Sequence, residues 1–318
     1  MRISHDFDFD PEYGYSLEDL LQVGAPEEPE DFEAFWKAAY ASALEIPLDH
    51  DVGPAVTPAE NHDVYQVYYN SYQGERIGAW ITVPKDVSEL TCGVVVGHGY
   101  GGRDAPHYGL PVSSAVCIFP CARGFHLSAS LKFPGNSAAH VVTGIESRER
   151  YSHLGSVVDY WLAASVLLEL YPQVAGRLYY HGGSFGGGIG AMLLPWDPRF
   201  SKAYLNVPSF GNHPLRVTLP CRGSGDAVTR YYKDGHPEVL EVLRYFDAAI
   251  AARHIEIPVF VAAALFDPAV PPPGQFAVYN ALSGHKELYL RQAAHFELEG
   301  NGEDDRAIAA RLRRFFAD

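Results

Sequence analysis

Residues 177–192 read RLYYHGGSFGGGIGAM, a short apolar run followed by one serine, Ser184, set among glycines. A slack loop would carry those glycines without needing them. A turn so tight that side chains would strike the neighbouring backbone would require them. The flanks decide for the turn, because RLYY has strand character and GIGAMLLPW opens a helix. Gly182-Gly183-Ser184-Phe185-Gly186 is then a G-x-S-x-G match in a strand–turn–helix setting, where a strained backbone exposes the serine hydroxyl. It also sits at a helix N-terminus, whose free amides favour negative charge.

Strand-like apolar runs surround this turn. CGVVVGHG, AVCIFPCA, KAYLNVP, IPVFVAAALFD and KELYLRQAAH alternate with helix-like segments from residue 92 onward. Continuous apolar strands between helices predict a mainly parallel sheet buried on both faces. LGSVVDYWLAASVLLEL reads as a helix with Leu154, Val158, Trp161, Ser165 and Leu168 along one side. EDDRAIAARLRRFFAD reads as a last helix with Ile308, Leu312, Phe315 and Phe316 as its packing stripe, acids first and arginines last. Upstream, Phe32, Phe35, Trp36, Ala39 and Tyr40 mark an amphipathic helix, and GAPEEPE before it a surface loop. DVYQVYYNSY and RIGAWITVP, separated by QGE, predict an antiparallel hairpin. The reading is one α/β domain over 1–318, a catalytic core at 61–318 preceded by an N-terminal extension at 1–60. Its class is the α/β-hydrolase fold, a mainly parallel sheet with helices on both faces.

A serine needs a base, and the base an orienting carboxylate. In this fold they follow in the order serine, acid, histidine. Asp267 ends IPVFVAAALFD, at the sheet edge where an orienting acid belongs. A cap for the helix starting near Pro271 is its plainer reading. His295 follows the last strand, whereas His254 and His285 lie within or between earlier elements. The oxyanion takes the amide of Phe185 and, from GHGYGGRD, that of Tyr100. The Tyr100 ring is expected to wall the acyl pocket, with Phe185, Pro208 and Ala269 as further pocket candidates. His98 is read as structural, because the triad already has its base.

Composition bounds the rest. Of 318 residues, 24 are basic and 39 acidic, a net charge of -15 that argues against a nucleic-acid surface. No apolar run approaches the roughly 18 residues of a membrane span. The opening MRISHDFDFDPEYGY shows no positive stretch followed by an apolar one. Cys92 and Cys117 sit inside apolar strand-like runs, Cys121 and Cys221 share no metal-ligand spacing, and all four read as reduced, packed thiols, with a disulfide as the alternative that geometry decides. A cytoplasmic protein is expected from this cysteine usage.

The chain resembles carbohydrate esterase family seven, the acetyl xylan esterase and cephalosporin C deacetylase group. The motifs are DFEAFW, YQGERIGAWITVPKD, GHGYGGR, ARG, GGSFGGG and LFDPAVPPPGQFAVYNAL. The resemblance implies Ser184 as nucleophile, Asp267 as acid, His295 as base, Tyr100 and Phe185 as oxyanion donors, and Arg123 as a structural residue. Phe125 and Phe185 stand where the family has glutamine, Phe296 separates His295 from Glu297, and Val270 replaces a cysteine. The implied activity is removal of acetyl groups from sugars such as xylo-oligosaccharides, and from cephalosporin C, with no metal or organic cofactor, in a cytoplasmic homo-oligomer, often a hexamer. The alternatives are a short-chain carboxylesterase on non-sugar esters, favoured by Phe125 and Phe185, a prolyl-oligopeptidase-like peptidase, and a non-catalytic binding protein on the same scaffold. The peptidase would need an N-terminal propeller, and the binding protein would break the triad.

Overall fold

The structure is a computed structural model, and it describes residues 3–59, 61–298 and 300–317. Among the described residues nine strands form one sheet: β1 (Asp51–Ala59), β2 (His62–Asn70), β3 (Arg76–Pro84), β4 (Cys92–Gly97), β5 (Ala115–Pro120), β6 (Leu178–Gly183), β7 (Phe200–Asn206), β8 (Val259–Phe266) and β9 (Lys286–Ala293). Their order is β1-β2-β3-β5-β4-β6-β7-β8-β9. β1, β2 and β3 pair antiparallel, β3 joins β5 antiparallel, and the pairs from β5 and β4 through to β9 are parallel. The chain therefore reverses its direction of travel across the sheet between β4 and β6. In an open α/β sheet that reversal leaves a crevice at the carboxyl ends of the strands.

Five helices bear on the site: α1 (Phe32–Leu44), α2 (Ser152–Leu170), α3 (Phe185–Leu193), α4 (Pro272–Ala281) and α5 (Asn301–Ala317). α1 buries Phe32 and Trp36 from its expected stripe. α5 buries Ile308, Leu312, Phe315 and Phe316 against Tyr204 and Phe260 of the sheet, as its periodicity requires. α2 differs from the one-sided helix read from its sequence. Every residue from Ser152 to Ala164 is buried, so no solvent face exists there. The cause is α1, whose Trp36 and Tyr40 rings pack edge-on against Trp161 at 6.1 and 5.0 Å. A helix covered on all sides has no need of a polar stripe.

The expected antiparallel hairpin β2–β3 forms, turning through Tyr72–Gly74 with positive φ at Gln73 and Gly74. β1 has no counterpart in the sequence reading. Its DVGPAVTPA contains two prolines and a glycine, residues that a strand accepts at the edge of a sheet. The segment 1–60 thus contributes an edge strand to the sheet. All four cysteines are buried and unpaired.

Candidate active site

Ser184 links β6 to α3 with φ 54° and ψ -114°, a strained conformation for a residue with a side chain. Its backbone is fixed by Ser184 N–H donating to the Asn206 carbonyl at 2.8 Å. The glycines fall into two kinds. A Cβ on Gly186 would lie 2.8 Å from the Gly97 carbonyl carbon and 2.9 Å from the His98 oxygen. On Gly183 its nearest neighbour would be 3.5 Å away, an ordinary contact. Close approach to neighbouring backbone demands glycine at most of these positions: at Gly186 against the end of β4, at Gly182, whose Cβ would lie 2.5 Å from the Gly186 oxygen, and at Gly188, whose Cβ would lie 2.3 Å from the Ser209 oxygen beyond β7.

Asp267 follows β8 and is fully buried. Its Oδ1 accepts the Ala269 and Val270 amides at 2.9 Å each, and its Oδ2 accepts Gln275 Nε2 at 3.0 Å. α4 begins at Pro272 with Pro271 as its N-cap, so Asp267 does not cap it. His295 stands two residues beyond β9 at φ 47°, again outside the ordinary region. Its Nδ1 lies 2.8 Å from Asp267 Oδ2, and its Nε2 lies 3.0 Å from Ser184 Oγ. A carboxylate accepts, so Nδ1 carries the proton and Nε2 is left to accept from the serine. Burial pushes the imidazole down, but the hydrogen bond and charge of Asp267 outweigh it and hold His295 above its ordinary value. One serine, one imidazole and one carboxylate thus form a continuous hydrogen-bonded chain.

The β4 loop lies beside this chain. A Cβ on Gly99 would be 4.0 Å from that of Ser184. The Gly186 amide donates to the His98 carbonyl at 2.9 Å, tying loop to helix. Phe185 is the first residue of α3, where amides have no partner within the helix. Neither its amide nor that of Tyr100 finds an acceptor among the described residues. A cavity of about 480 Å³ opens here, lined by Ser184, His295, His98, Arg103, Asn206 and Arg291 among others. Among the described residues no cluster of His, Cys, Asp or Glu could hold a metal ion.

The sequence profile of the acetyl xylan esterase family (AXE1) matches residues 14–310. The chain belongs to that family. A curated acetyl esterase of Xylanibacter ruminicola is 23% identical over 312 residues, covering 91% of this chain and 68% of the relative. Two acetyl xylan esterase structures share the fold. That from Paenibacillus sp. superposes with TM-score 0.77 at 24% identity, over 93% of this chain and 99% of the other. That from Thermoanaerobacterium sp. gives 0.81 at 20% identity, over 96% and 99%. The protein is accordingly a carboxylic ester hydrolase of the acetyl xylan esterase family, and a divergent one.

The surroundings of this esterase's serine correct part of the pocket expected from sequence. Phe185 is fully buried and stacks on Tyr100 at 4.3 Å between centroids and on His98 at 5.7 Å. Its ring does not line the cavity. The Tyr100 ring turns inward too, its hydroxyl 3.1 Å from His140 Nδ1 and 2.9 Å from His153 Nε2. Pro208 is buried against Gly187. Ala269 serves Asp267 through its amide. None of the four lines the cavity beside Ser184. Aromatic character was visible in the sequence, but which way each ring turned was not. Phe125, in the family's glutamine position, is buried in the same cluster, 5.1 Å from the His140 ring.

Two structural readings hold in this esterase. His98 has both ring nitrogens committed, Nε2 accepting the Ala122 amide at 3.0 Å and Nδ1 donating to the Gly99 carbonyl at 2.6 Å. Arg123 is fully buried and grips Asp159 through Nε at 3.1 Å and Nη2 at 2.7 Å. Sequence reasoning missed Gln275, which clips the acid loop to β8 by accepting the Ala264 amide at 2.8 Å while donating to Asp267. It missed the N-terminal arm as well. The Asp267 amide donates to the Pro11 carbonyl at 3.1 Å, and Phe7 packs on Phe296 at 5.8 Å. These contacts lie more than 250 residues apart in sequence and leave no periodic trace.

Proposed function

We propose that Ser184 is the nucleophile of an esterase that removes acetyl groups from acetylated sugars such as xylo-oligosaccharides, with cephalosporin C as a further acetyl ester within reach. The observation that carries this reading is the hydrogen-bonded chain from Ser184 Oγ through His295 to Asp267, at 3.0 and 2.8 Å. His295 Nε2 takes the hydroxyl proton as Oγ bonds to the acetyl carbon, and Asp267 steadies the imidazolium that results. The Tyr100 and Phe185 amides receive the oxyanion. Collapse breaks the bond to the sugar oxygen, which leaves with the proton held on His295. Water, deprotonated by the same imidazole, then cleaves acetyl-Ser184 to acetate. Acetyl as the acyl group is supported by the family and by the Xylanibacter relative.

The non-sugar carboxylesterase reading drew on Phe125 and Phe185, and both rings are buried away from the cavity. That support therefore falls away. We further propose a cytoplasmic homo-oligomer of hexameric size, to be checked by light scattering. The decisive assay is a chain-length series of p-nitrophenyl esters run beside acetylated xylo-oligosaccharides and cephalosporin C. Acetate should lead the series and Ser184→Ala should be inactive. A faster octanoate would sink the deacetylase reading, and activity surviving in Ser184→Ala would remove the nucleophile.

A further inference from the structure

The cavity beside Ser184 is electrically unlike the rest of this acidic chain. Arg103 closes the β4 loop with 5% of its surface exposed, and its Nε and Nη1 find no acceptor among the described residues. It forms no ion pair there either. The Phe119 ring, 4.8 Å from the guanidinium carbon, offers it partial compensation. A buried charge without a counter-ion costs several kcal/mol unless something supplies one. Arg291, on β9, is 8% exposed and lines the same cavity. One of its nitrogens pairs with Asp305 at 2.8 Å, while Nε has no partner. Asp104 also lines the cavity, but it is exposed and makes no ion pair with Arg103 among the described residues. Asn206 Oδ1 and Asn301 Oδ1, in the same lining, are likewise buried without a donor.

We propose that this cavity binds a carboxylate on the alcohol part of the ester, with Arg103 as its main partner and Arg291 as the second, so that among acetylated sugars the sugar acids are preferred over neutral ones. A guanidinium recognises a carboxylate by paired, charge-assisted hydrogen bonds, which a neutral hydroxyl cannot match. The buried asparagine oxygens suit hydroxyl donors on the same sugar. The carboxylate is assigned to the alcohol because Arg291 stands on β9 four residues before His295, which protonates the departing oxygen, and both line the cavity. Arg291 also presses on the His295 charge, which places its field at the reacting atoms. This inference rests on the assignment of Ser184 and His295 made above.

The test compares acetate release from 4-(acetoxymethyl)benzoate and from its neutral isostere, 4-(acetoxymethyl)benzamide, as a ratio of kcat/KM. The wild-type ratio should favour the benzoate by about tenfold or more at low salt and shrink as salt rises. Arg103→Gln should abolish the preference and Arg103→Lys should keep part of it. Equal or faster hydrolysis of the benzamide overturns the proposal, as does a preference that Arg103→Gln leaves intact. A preference confined to p-nitrophenyl hemisuccinate over p-nitrophenyl propionate also overturns it, because the carboxylate would then lie on the acyl side. Should Arg103→Gln fail to fold, glucuronate as inhibitor of wild-type p-nitrophenyl acetate hydrolysis decides the matter. Salt-sensitive competitive inhibition supports the site, and no inhibition overturns it. Failure of the deacetylase reading shows separately, as no acetate from any acetylated oligosaccharide, neutral or acidic.

Discussion

His98 and His295 follow the carboxyl ends of two strands of one sheet and line one cavity, yet the fold has given them opposite chemistry. His98 is 3% exposed, and two backbone groups occupy its two nitrogens. Burial drives it down to about 3, so it stays neutral. His295 gives only one nitrogen to the protein's interior, and that one to a carboxylate. Its other nitrogen meets Ser184, and the imidazole is held above its ordinary value. A histidine becomes a base when the backbone leaves one ring nitrogen uncommitted and a carboxylate supports the other. Proximity to the serine alone does not achieve this.

The largest effect should come from breaking the second arrangement. His295→Ala, like Ser184→Ala, should lower kcat by about 10⁴-fold or more, and the acyl-enzyme burst should disappear. Asp267→Asn should cost about 10⁴-fold, because an amide in that place no longer selects the tautomer with its proton on Nδ1. Near-normal turnover in either variant would falsify the assignment of the base or its support. His98→Leu, which offers the Ala122 amide no acceptor, attacks the other arrangement. It should destabilise the protein by roughly 1–3 kcal/mol in chemical denaturation, through the Ala122 amide it leaves unpaired, while still giving an acyl-enzyme burst.

Titration separates the two histidines further. His295 must be neutral to accept a proton, so kcat/KM should fall on the acid side with a midpoint above pH 6.5. A midpoint below 6.5 would mean that burial, not Asp267, dominates. His98, His140 and His213 are pushed by burial to about 3 each. Their folded values lie below the unfolded one, so the unfolded chain binds more protons in that interval. Stability should be complete above pH 6.5 and drain as the pH falls toward 3. The slope is up to about 1.4 kcal/mol per pH unit for each such histidine. The smallest effect lies in the elbow, where Gly183→Ala should be mild, with its neighbour at 3.5 Å, and Gly186→Ala should not.

Much of the site was legible because its parts are punctuated locally. Ser184 announces itself by glycines, and Asp267 and His295 stand just past the ends of apolar strands whose alternation with helices already implies a parallel sheet. What stayed hidden were the partners that no local punctuation marks. Gln275 reaches Asp267 across a loop, Pro11 and Phe7 come back to the acid and histidine loops, and β1 needed an edge position to tolerate its prolines.

The family, the fold class and the positions of Ser184, Asp267 and His295 just past strand ends were legible in the sequence alone, since each depends on short-range spacing and strand-length hydrophobic runs. Which rings face the substrate was decided only by tertiary packing. Phe185 and Tyr100 turn into a buried cluster, while Arg103 and Arg291 come together at the cavity from the β4 loop and from β9. The physical reason is that backbone spacing fixes where a side chain starts. Burial and partners contributed by remote segments fix where it ends, and a linear pattern records only the first.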